Sequence, residues 1–184
     1  MKIIKIVTAA TYLIYAIAIH AQQAADENFN FANDTPAFET DKGPIVCIDE
    51  AHKNFHTAED RYSPFANMLR ADGYRIKRSD QQFSADSLKE CDLLVVANAS
   101  AFEPEAKWPY PHDSAFTGEE TEAVMHWVRS GGNLFLIADH APMAAGAAGL
   151  GAVFGIVMTD VFARQDPDAC MDCDFFLLED NTLH

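Results

Sequence analysis

Positive charge is what this sequence has least of. Thirteen Lys and Arg stand against 28 Asp and Glu, a formal charge of -15 over 184 residues. Such a surface repels phosphate backbones and anionic lipid head groups, and no basic patch interleaved with aromatics offsets it, so no nucleic-acid partner is expected. Motifs that name a chemistry are missing too. The glycines of 146-GAAGLGAVFG-155 do not form GxGxxG after a first strand, and there is no P-loop, which argues against dinucleotide and nucleoside-triphosphate sites. No GxSxG elbow supplies the usual α/β-hydrolase serine. The pair in 52-HKNFH-56 is not HExxH, so no zincin signature is present. No apolar run reaches the ~20 residues of a spanning helix, and no cysteine follows the first apolar run to carry a bacterial lipid anchor.

That first run is itself informative. Lys2 and Lys5 precede 6-IVTAATYLIYAIAI-19, and Ala21 offers a small residue for cleavage before Gln22. Residues 1–21 read as a secretory signal peptide, with a buried first strand or helix as the alternative. Export to a periplasmic or extracellular compartment follows, with no stable membrane span after processing. Loss of the two lysines moves the charge from -15 to -17. The four cysteines would then meet an environment that permits disulfides. Cys47 and Cys91 suit either buried small hydrophobes or a bridge. The pair in 170-CMDC-173 suits a local disulfide or free thiols, or half of a redox or zinc site that has no second half here.

The chain length supports one domain with a substantial core. Residues 22–43 lack a durable period and read as a flexible lead-in, leaving 44–184 as the α/β domain. From Pro44 short apolar strands alternate with amphipathic helices: a strand at 45–48, a helix at 63–71 stopped by Gly73, a weaker strand at 74–77, a short helix at 86–92 and a buried strand at 93–98. A proline-containing loop, 99–116, leads to Thr117, an N-cap with Glu120 in the capping-box position. The helix behind it ends at Gly131-Gly132. A strand at 134–138, a small-residue helix within 142–155 and a short strand at 175-FFLL-178 complete the pattern. It predicts an open, mostly parallel sheet with helices on both faces. Such sheets have about five strands, so the domain reads as C-terminally incomplete.

Ligands of open α/β sheets gather beyond the carboxyl ends of the strands. Asp49 and Glu50 end the first strand, Asn98 the third, Asp139 and His140 the fourth; a 2-1-3-4 order would bring these ends together. Asp49, His52 and His56, with Asp139 and His140, form a pool from which three ligands can hold a divalent metal ion whose open position activates water. His52 and His56 share a face only if their segment is helical. A metal-free version uses Asp139 or Glu50 as base and His140 or His52 as proton exchanger, but assigns no nucleophile. Local roles compete at each position, since an aspartate caps helices and a histidine satisfies loop carbonyls. Asn98 is a ligand-orienting or turn residue, and Arg61 and Tyr62 border the crevice as ligand-binding candidates. Trp108, Tyr110 and His112 make a lid or sugar platform, or belong to a structural loop.

The stretches 45-IVCIDEAHKNFHT-57, 93-LLVVANA-99 and 117-TGEETEAVMHWVRSGGNLFLIADHAP-142, with the small-residue run after them, resemble an exported family of unknown function. That family lies within the class I glutamine amidotransferase-like superfamily, and the last two stretches also resemble its trehalose-utilisation-type branch. The resemblance covers residues 44–160 and implies a flavodoxin-like sheet with its site over the carboxyl ends of the strands. The superfamily holds glutaminases, proteases, sugar-associated proteins and domains that have lost catalysis. In the amidotransferases a cysteine follows the strand equivalent to 134–138 and works with a later histidine. Here Asp139 or His140 takes that neighbourhood, and neither is an activated thiol. The resembling proteins continue further, and His184 falls where their later histidine comes. Two functions are therefore expected to compete: a noncatalytic ligand-binding or scaffold module for a small molecule or carbohydrate, and a metal-assisted hydrolase of a carbohydrate or cell-envelope substrate.

Overall fold

The computed structural model describes residues 24–26, 28–103 and 110–161. The predicted signal peptide, Trp108, Cys170, Cys173, the 175–178 run and His184 lie outside them. Four strands, β1 (Ile45–Asp49), β2 (Arg75–Ser79), β3 (Leu93–Ala97) and β4 (Asn133–Ile137), form a parallel sheet in the order β2-β1-β3-β4. This is the open flavodoxin-like arrangement anticipated from the alternation of elements. Parallel strands require crossovers, and the sequence supplies them as α1 (Ser63–Ala71), α2 (Ala85–Leu88) and α3 (Gly118–Arg129), while α4 (Met143–Ala152) follows β4.

Period-two alternation divides the strand side chains between two cores. Cys47, Leu94 and Val96 pack with Leu88 of α2, Val124 of α3 and Leu150 of α4 on one face. Val46, Ile48 and Val95 pack with Ala66, Phe65 and Leu69 of α1 on the other. Val46, Ile48, Leu94, Val95 and Val96 are all fully buried, each contributing about 1.5–3 kcal/mol by leaving water. Residues Cys47 and Cys91, for which two states were open, form a disulfide that joins β1 to the turn entering β3.

Local signals fix the helix limits. Pro64 stands in the first turn of α1, where its missing N–H costs nothing. At its end Gly73, at φ 89°, takes the left-handed position that a side chain resists, while the Tyr74 amide reaches back to Leu69 O at 3.0 Å. Gly131 closes α3 the same way. Thr117 and Glu120 form the predicted reciprocal capping box. Helix α2 is shorter than the 86–92 expected. Its tail turns into β3 instead, with the Asp92 carboxylate accepting from the Ile45 amide at 2.7 Å.

Part of the expected lead-in is fastened down. Asp72 accepts from Asn33 Nδ2 at 2.7 Å and from the Ala37 amide at 2.8 Å, and the Phe38 ring meets Tyr74 edge-on at 5.1 Å. The reason is the C-terminus of α1, whose turn presents both a carboxylate and an aromatic neighbour to a chain that composition alone marks as loose.

Candidate functional site

The polar residues predicted at the strand ends separate into two groups. The first is buried. Asp49 ends β1 with no exposed surface, and the chain turns so that His52 points back beneath it. His52 Nδ1 lies 2.8 and 2.9 Å from the two Asp49 oxygens, and Nε2 lies 2.7 Å from Glu120 Oε1. A ring nitrogen without a proton would direct its lone pair at a carboxylate, so this geometry calls for an imidazolium. Burial lowers the pKa of His52, but the hydrogen bonds and charges of Asp49 and Glu120 outweigh it, and the net direction is upward. The Phe83 and Phe116 rings, stacked 5.7 Å apart, each stand 4.6 Å from the imidazole.

Neighbouring donors complete the group. Asn54 Nδ2 donates to Asp49 Oδ2 at 2.9 Å, and the Phe83 and Thr117 amides donate to Glu120 at 3.1 and 2.9 Å. Burial raises the Glu120 pKa, yet the Thr117 and Phe83 donors and His52 together bring it below the ordinary carboxylate value. Glu120 was legible only as a capping residue. Its second role as the far partner of His52, 68 positions away, has no local sequence signal.

The second group lies at the ends of β3 and β4. Asn98 adopts the left-handed conformation at φ 47°, a state that asparagine tolerates better than most residues. Its side chain makes a reciprocal pair with Asp139: Asn98 Nδ2 donates to Asp139 Oδ2 at 3.0 Å, and the Asp139 amide donates to Asn98 Oδ1 at 3.1 Å. Helix α4 closes on this turn because it is made of small residues. A Cβ on Gly146 would collide with the Ala99 carbonyl oxygen.

Three further candidates converge here. The His56 and Tyr62 rings are 4.6 Å apart, and the Asp139 charge acts on both. Burial lowers the His56 pKa; Asp139 opposes this, Arg61 adds to it and Asp60 opposes it again. Burial raises the Tyr62 pKa, and Asp139 reinforces that shift. Arg61 donates to the Phe55 carbonyl at 3.1 Å and lies 4.0 Å over the Phe55 ring. The Asp139 side chain keeps 41% of its exposure, so its carboxylate meets solvent at the mouth of the group.

The remaining predicted residues are placed differently. Glu50 is turned toward β2, accepting from the Ala58 amide at 2.9 Å and pairing with Arg78 at 2.5 Å, where it fastens the β1 exit loop. His140 is half-exposed; its Nδ1 is 2.6 Å from the Ala141 carbonyl oxygen, and it stands 4.0 Å from Asp139. His52 and His56 do not share a helical face, because the segment between them is irregular and Lys53 has φ 48°. They diverge, one into the core and one toward Tyr62. The expected metal set of Asp49, His52 and His56 therefore does not converge: Asp49 and both nitrogens of His52 engage each other and Glu120. Among the described residues no group of three or more His, Cys, Asp or Glu is arranged to hold a metal ion.

His112, expected in a lid or platform, bonds Asp160 at 2.8 Å and ties the long loop to the chain after α4. Tyr110 beside it is 80% exposed. Among the described residues no helix is long and apolar enough to cross a membrane.

No known family model, curated protein or solved structure matches this chain.

Proposed function

We propose that the chain is an exported, amidotransferase-like module that binds a small hydroxyl-rich ligand, a carbohydrate or a piece of one, and does no chemistry on it. One observation carries this reading. The reciprocal Asn98–Asp139 pair holds a half-exposed carboxylate in fixed orientation beside the His56 and Tyr62 rings. A rigid carboxylate accepts from paired hydroxyls, and aromatic faces cover the apolar side of a sugar ring, so the two together suit a polyol. The turn that follows β4 carries no thiol or hydroxyl nucleophile, which supports binding without covalent catalysis. The Cys47–Cys91 bridge supports export, because such bonds persist in oxidising compartments.

The competing class is a metal-assisted hydrolase of a carbohydrate or cell-envelope substrate, which would draw on the same Asp139. Titration of the mature protein with glucose and N-acetylglucosamine, followed by NMR, separates the two. Binding is expected to shift the resonances of His56, Tyr62 and Asp139, and Asp139→Asn is expected to weaken it about tenfold, ~1.4 kcal/mol. Shifts confined to other surfaces, or none at saturating sugar, would sink the proposal. Metal-dependent release of product from a chromogenic glycoside, lost in Asp139→Asn, would replace it with the hydrolase.

A further inference from the structure

The face of the sheet under α1 is covered unevenly. Helix α1 closes over Val46 and Ile48 of β1 and Val95 of β3, with Ile137 of β4 at the margin. Two residues earlier on the same face of β4, Phe135 is 49% exposed and belongs to neither core. It stands in a groove of about 720 Å³, whose walls include Tyr62 and Phe65 from the start of α1, Ile137 and Ala138 at the end of β4, and Met158 from the segment after α4. That volume lies within the ~300–1,000 Å³ of small-molecule sites, and the lining is almost wholly apolar.

The groove is continuous with the polar site. Tyr62 belongs to both: its ring meets His56 at 4.6 Å within the site and Phe65 at 5.6 Å within the groove. Ala138 lines the groove, and its neighbour in sequence, Asp139, carries the half-exposed carboxylate. A ligand whose hydroxyls reach Asp139 therefore has an apolar channel beside it. A bare sugar ring has nothing to place there.

We infer that the groove takes the alkyl chain of the same ligand, which makes the ligand class an alkyl glycoside without negative charge, its head on Asp139 and its tail against Phe135. The inference rests on the hydroxyl-rich ligand proposed above and adds the part that the polar site leaves unspecified. Charge decides among the occupants an apolar groove can take. A chain of net charge -15 repels both a second copy of itself and an anionic lipid. An apolar protein segment laid across the groove would desolvate the outer side of the Asp139 carboxylate without supplying donors, which is costly. A glycoside brings hydroxyl donors to the carboxylate and methylenes to the groove at once. Met158 suits such a tail, because an unbranched thioether adapts to the shape of what it covers.

Titration of the mature protein with methyl glucoside and with octyl glucoside below its micelle threshold, both followed by NMR, tests this. Both should shift the resonances of Asp139 and His56, and octyl glucoside alone should shift the methyl groups of Ile137, Ala138 and Met158. Each methylene taken from water is worth about fourfold in affinity, so a tail that buries about three or four of them should make octyl glucoside about a hundredfold tighter. Phe135→Ser and Met158→Ser should each cut the octyl-to-methyl ratio about tenfold. Neither residue belongs to a core cluster, and if either variant unfolds, the ratio and the methyl shifts of the unaltered chain decide. Asp139→Asn should weaken both glycosides alike. Equal affinities for the two, a gain that appears only as micelles form, or a gain untouched by both serine substitutions would overturn the inference; binding of methyl glucoside at Asp139 would still uphold the ligand reading. Octyl glucoside in the groove with no response at Asp139 to either glycoside would overturn the ligand reading and this inference with it.

Discussion

A histidine clamped between two carboxylates and a histidine desolvated beside a tyrosine respond to pH in opposite senses, and this chain has both within four positions. The pKa of His52 is raised above 6.5 in the fold, so its contribution to stability is complete below 6.5 and is lost as pH rises through the higher folded value. That of His56 is lowered, so its contribution is present above 6.5 and is lost as pH falls through the folded value. Glu120, lowered from 4.5, adds a further loss at more acid pH. Urea midpoints between pH 4 and 9 should therefore fall on both sides of a maximum near neutrality. His52→Gln should abolish the alkaline decline and His56→Gln the decline that begins below 6.5. His52→Gln should also cost about 3–5 kcal/mol below pH 6.5, a cost that shrinks as pH rises through the folded His52 value, because it leaves Asp49 and Glu120 buried without the cation between them. A loss under ~1 kcal/mol would mean that the imidazolium does not hold the two carboxylates.

At the scale of elements, the decisive joints are the start of α3 and the contact of α4 with the turn after β3. Thr117→Ala removes the hydroxyl that caps the Glu120 amide at 3.2 Å and donates to the Glu120 carboxylate at 2.9 Å. A loss of about 1 kcal/mol is expected for the cap, with a further loss wherever Glu120 shifts away from His52. Denaturation of Thr117→Ala in the His52→Gln background checks the coupling: the two effects should fall short of additive. Gly146→Val should destabilise more than Gly149→Val, since a Cβ at 146 meets backbone and at 149 meets only the side chain of Ser114. Thermal melts of the pair provide the comparison.

These joints also show what a sequence can carry. Helix α1, the capping box of α3 and the four strands were legible, because period and capping are local; the 2-1-3-4 order entered only as a condition, and the sheet adopts it. The pairing of His52 with Glu120, the Cys47–Cys91 bond and the Asn98–Asp139 clamp were not. Each depends on which of several polar or sulfur groups meet across the sheet, and no local period records that. His52 and His56 were read as possible neighbours on spacing alone. The irregular backbone at Lys53 sends them to different sites.

Across the whole molecule, the bond between Cys47 and Cys91 ties the centre of the sheet together. It closes a loop with a sequence separation of 44, which contains α1, β2 and α2 and therefore most of one half of the fold. Chain-entropy arguments give such a closure a stabilisation of about 4 kcal/mol, with measured bridges commonly at 2–4 kcal/mol. Cys47 is fully buried and Cys91 is 7% exposed, so reductant should reach the bond only when the sheet opens. Urea unfolding with a phosphine reductant should thus show a midpoint lowered by the equivalent of ~2–4 kcal/mol. Cys47→Ala with Cys91→Ala should move in the same direction, less whatever the small alanines recover in the core. Cys170 and Cys173 make a simple thiol count ambiguous, which is why the midpoint is the better readout. An unchanged midpoint under reduction, in a protein prepared by export, would mean that the two thiols pack without bonding and would remove the disulfide as support for an oxidising compartment.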